Sequence, residues 1–148
     1  MSVLITKSAQ ETKAIARSFA RALLEEIKTG KKAMVIMLSG HLGAGKTTFA
    51  QGFAAGLGVK EKTKSPTFVL MRQHAIKGKH FTHLCHLDCY RLESHTETSA
   101  IGLKEVLANP HNIVLVEWPE KIKKVLPKNG ITIRFLSINE NSRKISFN

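Results

Sequence analysis

Two cysteines, Cys85 and Cys89, are all that the 148 residues contain, too few for a disulfide framework. A reducing cytoplasm is therefore the natural setting. Long apolar runs are missing too: Ala33 to Leu38 and Ile113 to Val116 stop far short of the roughly 20 residues that cross a bilayer, so no membrane span is expected. The N-terminus places Lys7 and Lys13 around an amphipathic pattern rather than a short apolar block with a cleavage site, which argues against a secretory signal. No tract is rich in proline, glycine or serine, so neither disorder nor a long internal linker is expected. Acids are scarce, with 11 Asp+Glu against 23 Lys+Arg and a net charge of +12. That balance favours encounter with polyanions such as RNA. Aromatic residues are only 6% of the chain, and none interleaves with the scattered lysines to make a base-stacking platform. A plain solvated basic surface accounts for the charge equally well.

What is present is a hydrophobic fraction of 43%, enough for one sizeable core in a single domain spanning residues 1–148. Ser8 to Glu11 has capping-box spacing, and Thr12, Ile15, Phe19, Leu23 and Ile27 then recur at helical spacing up to Gly30. Ala33 to Leu38 is continuously apolar, as in a strand buried on both faces of a parallel sheet. A glycine-rich turn follows, then a helix from Lys46 to Leu57 stopped by Gly58. Thr67 to His74 and His80 to Asp88 read as a hairpin around Lys77-Gly78-Lys79. Ser94 to Glu97 starts a short helix to about Leu107, Ile113 to Val116 is a second buried strand, and Ile131 to Ile138 with Lys144 to Phe147 forms a closing hairpin.

The segment from Gly40 to Thr47 matches G-x-x-x-x-G-K-[ST] in full, between a buried strand and a helix as that motif requires. Phosphate oxygens need converging N–H donors, and glycines let the backbone curl so that successive amides and a helix N-terminus face the anion. The amine of Lys46 reaches β- and γ-phosphates, and the hydroxyl of Thr47 joins a Mg²⁺ shell. These features predict a P-loop NTPase-like α/β fold, a three-layer sandwich with a mixed, mainly parallel sheet, holding Mg-ATP. Such a site also needs an acid at the end of a neighbouring strand. Glu117 and Asp88 both fit. The cluster His80, His83, Cys85, His86 and Cys89 lacks zinc spacing, because alternation on a strand sends His86 and Asp88 to the face opposite His83, Cys85 and Cys89.

Several motifs together resemble the bacterial TsaE family: Leu42 to Thr48, Lys64-Ser-Pro-Thr-Phe68, His86-Leu-Asp-Cys-Tyr-Arg-Leu92, Ile101-Gly102-Leu103 and Leu115-Val-Glu-Trp-Pro-Glu120. They keep their order and span most of the chain from Ser39 to Glu120. The resemblance implies an ATPase required for threonylcarbamoyl modification of the adenosine beside the anticodon, in tRNAs reading codons that start with A. The transfer itself would belong to the TsaD and TsaB subunits, through which tRNA is met. Carried over residue by residue, the resemblance has Leu42, Gly43, Ala44, Gly45, Lys46, Thr47 and Thr48 hold phosphates, and Thr47 and Glu117 bind Mg²⁺. Ser65-Pro66-Thr67 becomes a nucleotide-sensitive loop, Trp118 sits beside the site, and Arg143 is the nearest match to an arginine near the nucleotide. Lys46, Thr47, Glu117 and Asp88 are then the catalytic set. Two departures stand out. His41 replaces the usual acid of the loop, and Glu93 to Thr98 lacks the usual run of acids. A small-molecule P-loop kinase is the alternative, requiring an arginine-rich lid that Arg72, Arg91, Arg134 and Arg143 would have to build. A non-catalytic RNA-binding module is a third.

Overall fold

The computed structural model describes residues 2–60 and 70–148. The expected nucleotide-sensitive loop Ser65-Pro66-Thr67 lies outside the described residues, as does the start of the strand expected from Thr67. Seven strands form one sheet in the order β1-β7-β6-β2-β5-β4-β3. The centre, β6 (Ile131–Ser137), β2 (Met34–Gly40), β5 (Asn112–Glu117) and β4 (His83–Asp88), is parallel throughout. The edges are antiparallel: β3 (Met71–Ala75) on β4, and β7 (Arg143–Phe147) and then β1 (Ser2–Thr6) beyond β6.

The apolar runs of β2 and β5 occupy the middle because both of their faces are covered. Ile36, Leu38, Ile113 and Leu115 pack beneath α1 (Ala9–Glu26) and α2 (Lys46–Gly56), whereas Val35, Val114 and Val116 face the opposite layer. That layer holds a 3₁₀ segment (His95–Ile101), α3 (Leu103–Ala108) and a second 3₁₀ segment (Pro119–Val125). The result is the three-layer sandwich with a mixed, mainly parallel sheet. Among the described residues no helix is long and apolar enough to cross a membrane.

Both capping signals mark true starts. The Ser8 hydroxyl accepts from the Glu11 N–H at 3.1 Å, and the Glu11 carboxylate accepts from the Lys7 N–H at 2.6 Å. Ser94 caps the 3₁₀ segment by accepting from the Thr96 N–H. The helix expected to run to Leu107 is interrupted at Gly102, whose φ of 70° ends one segment and begins α3. β4 starts at His83, three residues later than expected.

The buried stripe of α1 differs from the apolar one in the sequence. Thr12, Ala16, Ala20 and Leu23 are fully buried, with Ile15, Phe19 and Ile27 flanking them. The cause lies on α2, where Gly52 and Gly56 admit the α1 backbone directly. A Cβ at Gly52 would lie 2.5 Å from the Lys13 carbonyl oxygen, and one at Gly56 would lie 2.6 Å from that of Arg17. Small residues face small residues, and the matching of 13 with 52 and 17 with 56 makes the two helices parallel. Gly52→Ala should therefore destabilise the protein by about 1–3 kcal/mol, since overpacking against backbone outweighs the helix propensity gained. Urea unfolding checks this, with Gly30→Ala, where a Cβ meets nothing within 4 Å, as the comparison.

Candidate functional site

The glycine loop joins the end of β2 to α2. Gly43 and Gly45 have φ of 79° and 104°, left-handed values that side-chain-bearing residues rarely adopt. Gly45 is the N-cap of α2 and provides no side-chain acceptor, so the first N–H groups of the helix face the loop without a capping side chain. Because α1 runs parallel to α2, its N-terminus ends beside the same place, with Ser8, Ala9 and Thr12 lining the wall. Two helix N-termini, each with a partial positive charge of about half a unit, thus flank one cleft. The cleft encloses about 330 Å³.

Lys46, the first residue of α2, is 5% exposed. Its Nζ donates to the carbonyl oxygens of Gly40 and, at 3.2 Å, His41, and lies 3.7 Å from the centroid of the Trp118 ring. Burial lowers its pKa, opposed by the charges of Glu120, Glu117 and Asp88. Trp118 has φ 58° and ψ 53° immediately before Pro119, a left-handed conformation that a bulky residue adopts at a cost of about 1–3 kcal/mol. That turn swings the indole under the lysine and against Tyr90, at 5.0 Å between ring centroids.

Glu117 closes β5 and is 2% exposed. Its Oε1 accepts from the Thr47 hydroxyl at 3.0 Å, and its Oε2 accepts from His86 Nε2 at 2.7 Å. Asp88 is its register partner on β4 and accepts from the Tyr90 N–H at 3.1 Å. Arg143 opens β7 and reaches across: one guanidinium nitrogen donates to the Gly43 carbonyl at 3.2 Å, the other to carbonyls of the β6–β7 turn, including Asn139 at 2.7 Å. Of the four arginines that a kinase lid would draw on, Arg143 lines the cleft and Arg72, Arg91 and Arg134 do not.

Leu42, Gly43, Gly45, Lys46, Thr47, Thr48, Asp88, Glu117 and Arg143 all line this cleft. Ala44 does not, because its methyl is buried in the core beneath α1 and α2. Sequence reasoning missed His86 as the partner of Glu117. The signal was its place two residues before Asp88, on the same strand face. Cys85 and Cys89 point to the other face, where burial pushes their thiols up to about 11 and about 12. Chemically the cleft offers converging N–H groups and a cation for an anion, with a hydroxyl and two carboxylates beside them for a hard metal ion. Among the described residues there is no group of three or more His, Cys, Asp or Glu that could hold a metal by itself.

The profile of the family described as "Threonylcarbamoyl adenosine biosynthesis protein TsaE" matches residues 6–145. The tRNA threonylcarbamoyladenosine biosynthesis protein TsaE of Bacillus subtilis is 36% identical, covering 96% of this chain and 82% of its own length. The protein of that name from Treponema pallidum is 35% identical, with 96% of both chains covered. Among solved structures, the crystal structure of Bacillus subtilis YdiB superposes with a TM-score of 0.73 at 32% identity, over 99% of this chain and 83% of that one. With sequence and fold agreeing over nearly the whole length, the chain belongs to the TsaE family.

Proposed function

We propose that the cleft binds Mg-ATP and hydrolyses it in support of threonylcarbamoyl modification of the tRNA adenosine beside the anticodon, as a switch gated by the TsaD and TsaB subunits. The observation that carries this reading is the pairing of Thr47 with the buried Glu117 at the mouth of the glycine loop. Adjacent oxygens of an octahedral Mg²⁺ shell, at 2.0–2.1 Å from the ion, lie about 2.9 Å apart, close to the 3.0 Å between Thr47 Oγ1 and Glu117 Oε1. Two protein ligands suffice because Mg²⁺ keeps waters and phosphate oxygens in its remaining positions. When bound, the ion neutralises charge on the transferring phosphoryl group.

The chain's own residues do the rest. The loop amides and the α2 N-terminus hold the phosphates, and Lys46 exchanges its carbonyl partners for phosphate oxygens. His86 fixes the orientation of Glu117 by donating to Oε2, leaving Oε1 for Thr47 and the metal. Arg143 holds the loop at Gly43 from above. Fast P-loop hydrolysis also needs a group that orients water and an arginine free to meet the γ-phosphate. Within the described residues Arg143 is the one arginine lining the cleft and donates to four backbone carbonyls, and in this reading the remaining parts come from the partner subunits.

Turnover of the purified chain should accordingly be slow and rise at least tenfold when TsaD and TsaB are added, measured as phosphate release. Fast turnover indifferent to those subunits would sink the switch reading and favour a stand-alone enzyme.

A further inference from the structure

A second groove, of about 780 Å³, lies on the face of the sheet away from α1 and α2, between β6 and the Pro119–Val125 segment. It shares no lining residue with the glycine-loop cleft. Lys121, Lys123, Lys124, Lys128 and Arg134 surround it, and all five are exposed. Glu120 is the one acid in the lining, and its carboxylate accepts from Ser39 Oγ at 2.6 Å. Among the described residues none of the five cations is ion-paired to a carboxylate. The groove is thus a cluster of five cations with a single acid, in a chain of net charge +12.

We infer that this groove binds the phosphate backbone of RNA. Four of the five cations are lysines, compact hydrated charges suited to phosphates in varied positions rather than to the planar bidentate pairing with carboxylates that arginine makes. No aromatic residue lines the groove, which leaves it without a base-stacking platform and without the anchors that mark the core of a protein interface, where lysine is depleted. Recognition is therefore by charge and backbone rather than by sequence. Ser39 and Glu120 place the groove next to the glycine loop, since Ser39 precedes Gly40 and Glu120 is the largest of the acidic influences on Lys46. The inference does not rest on nucleotide binding. Only the choice of tRNA as probe comes from the family's place in tRNA modification.

The test is titration of unmodified tRNA with the full chain by fluorescence anisotropy at several salt concentrations, for the parent, for Lys123→Glu/Lys124→Glu, and for the control Lys28→Glu/Lys31→Glu, which makes the same charge change outside the groove. The groove variant should bind at least tenfold more weakly, with a log Kd against log salt slope shallower by about 1.5 to 2. The control should lose less than threefold, and all three proteins should bind ATP alike. Equal losses in both variants, or no tRNA binding by the parent, overturn the inference. So does a groove variant that keeps tRNA but no longer associates with TsaD and TsaB, which would assign the groove to an acidic protein surface. Lys46→Ala, which alters the glycine-loop cleft and not the groove, should lose ATP turnover while binding tRNA within threefold of the parent, and a tenfold loss of tRNA binding in that variant overturns the assignment to the groove.

Discussion

Lys46→Ala should lower ATP turnover by about 10²–10³-fold while nucleotide affinity falls far less. The loop amides, the uncapped α2 N-terminus and Thr47 remain to hold phosphates in the ground state. What the variant loses is a cation in a site where burial removes competing solvent, so its effect grows as charge shifts toward the leaving oxygens. To meet a phosphate the amine would exchange its contacts with Gly40, His41 and the Trp118 ring. Steady-state phosphate release and equilibrium nucleotide binding, measured on the same preparation, separate the two effects. Parent-like turnover would show that the chemistry lies elsewhere.

The second large effect concerns the metal. Glu117→Gln keeps the side-chain volume but removes the charge, and should raise the Mg²⁺ concentration at half-maximal turnover at least tenfold and lower the maximum about 10²-fold. Glutamine is the informative replacement because alanine would strand the buried His86 Nε2, adding about 1–3 kcal/mol of lost stability for that unsatisfied polar group. Asp88→Asn should move the Mg²⁺ dependence comparably only if that carboxylate shares the ion. A titration unchanged in Glu117→Gln and displaced in Asp88→Asn would transfer the metal role to Asp88.

Much of this arrangement is legible before any coordinates. β2 and β5 announce themselves because a strand covered on both faces has no polar side to interrupt it, and the glycine loop follows from the φ values that only glycine takes without strain. Other parts are hidden for physical reasons. β1 is exposed from Ser2 to Ile5 and owes its existence to pairing with β7 at the opposite end of the chain, a contact that no local pattern encodes. The face of α1 was displaced by the glycines of α2, since contact between backbones favours alanine over the larger residues that an apolar stripe singles out. His86 became part of the site through the β4–β5 register, and Ala44 became core although it sits inside a phosphate-binding motif. Trp118 was expected beside the site. Its left-handed backbone, which aims the ring, was not readable from a residue that precedes proline.

The glycine contacts between α1 and α2 also decide how the cleft can deform. At Gly52 and Gly56 the α1 backbone is met directly, and beside them Phe19 packs on Phe49 and Phe53, so the two helices form one close-packed unit, and close-packed interiors transmit displacement rather than absorb it. The jaw of the cleft made by their two N-termini is therefore stiff. The opposing jaw is of another kind: the Trp118 turn and the β6–β7 turn, held by hydrogen bonds from Asn141 and Ser142 to the Asn139 side chain and from Arg143 to carbonyls. The two walls of the cleft thus differ in build, one a close-packed pair of helices and the other a pair of turns held by hydrogen bonds.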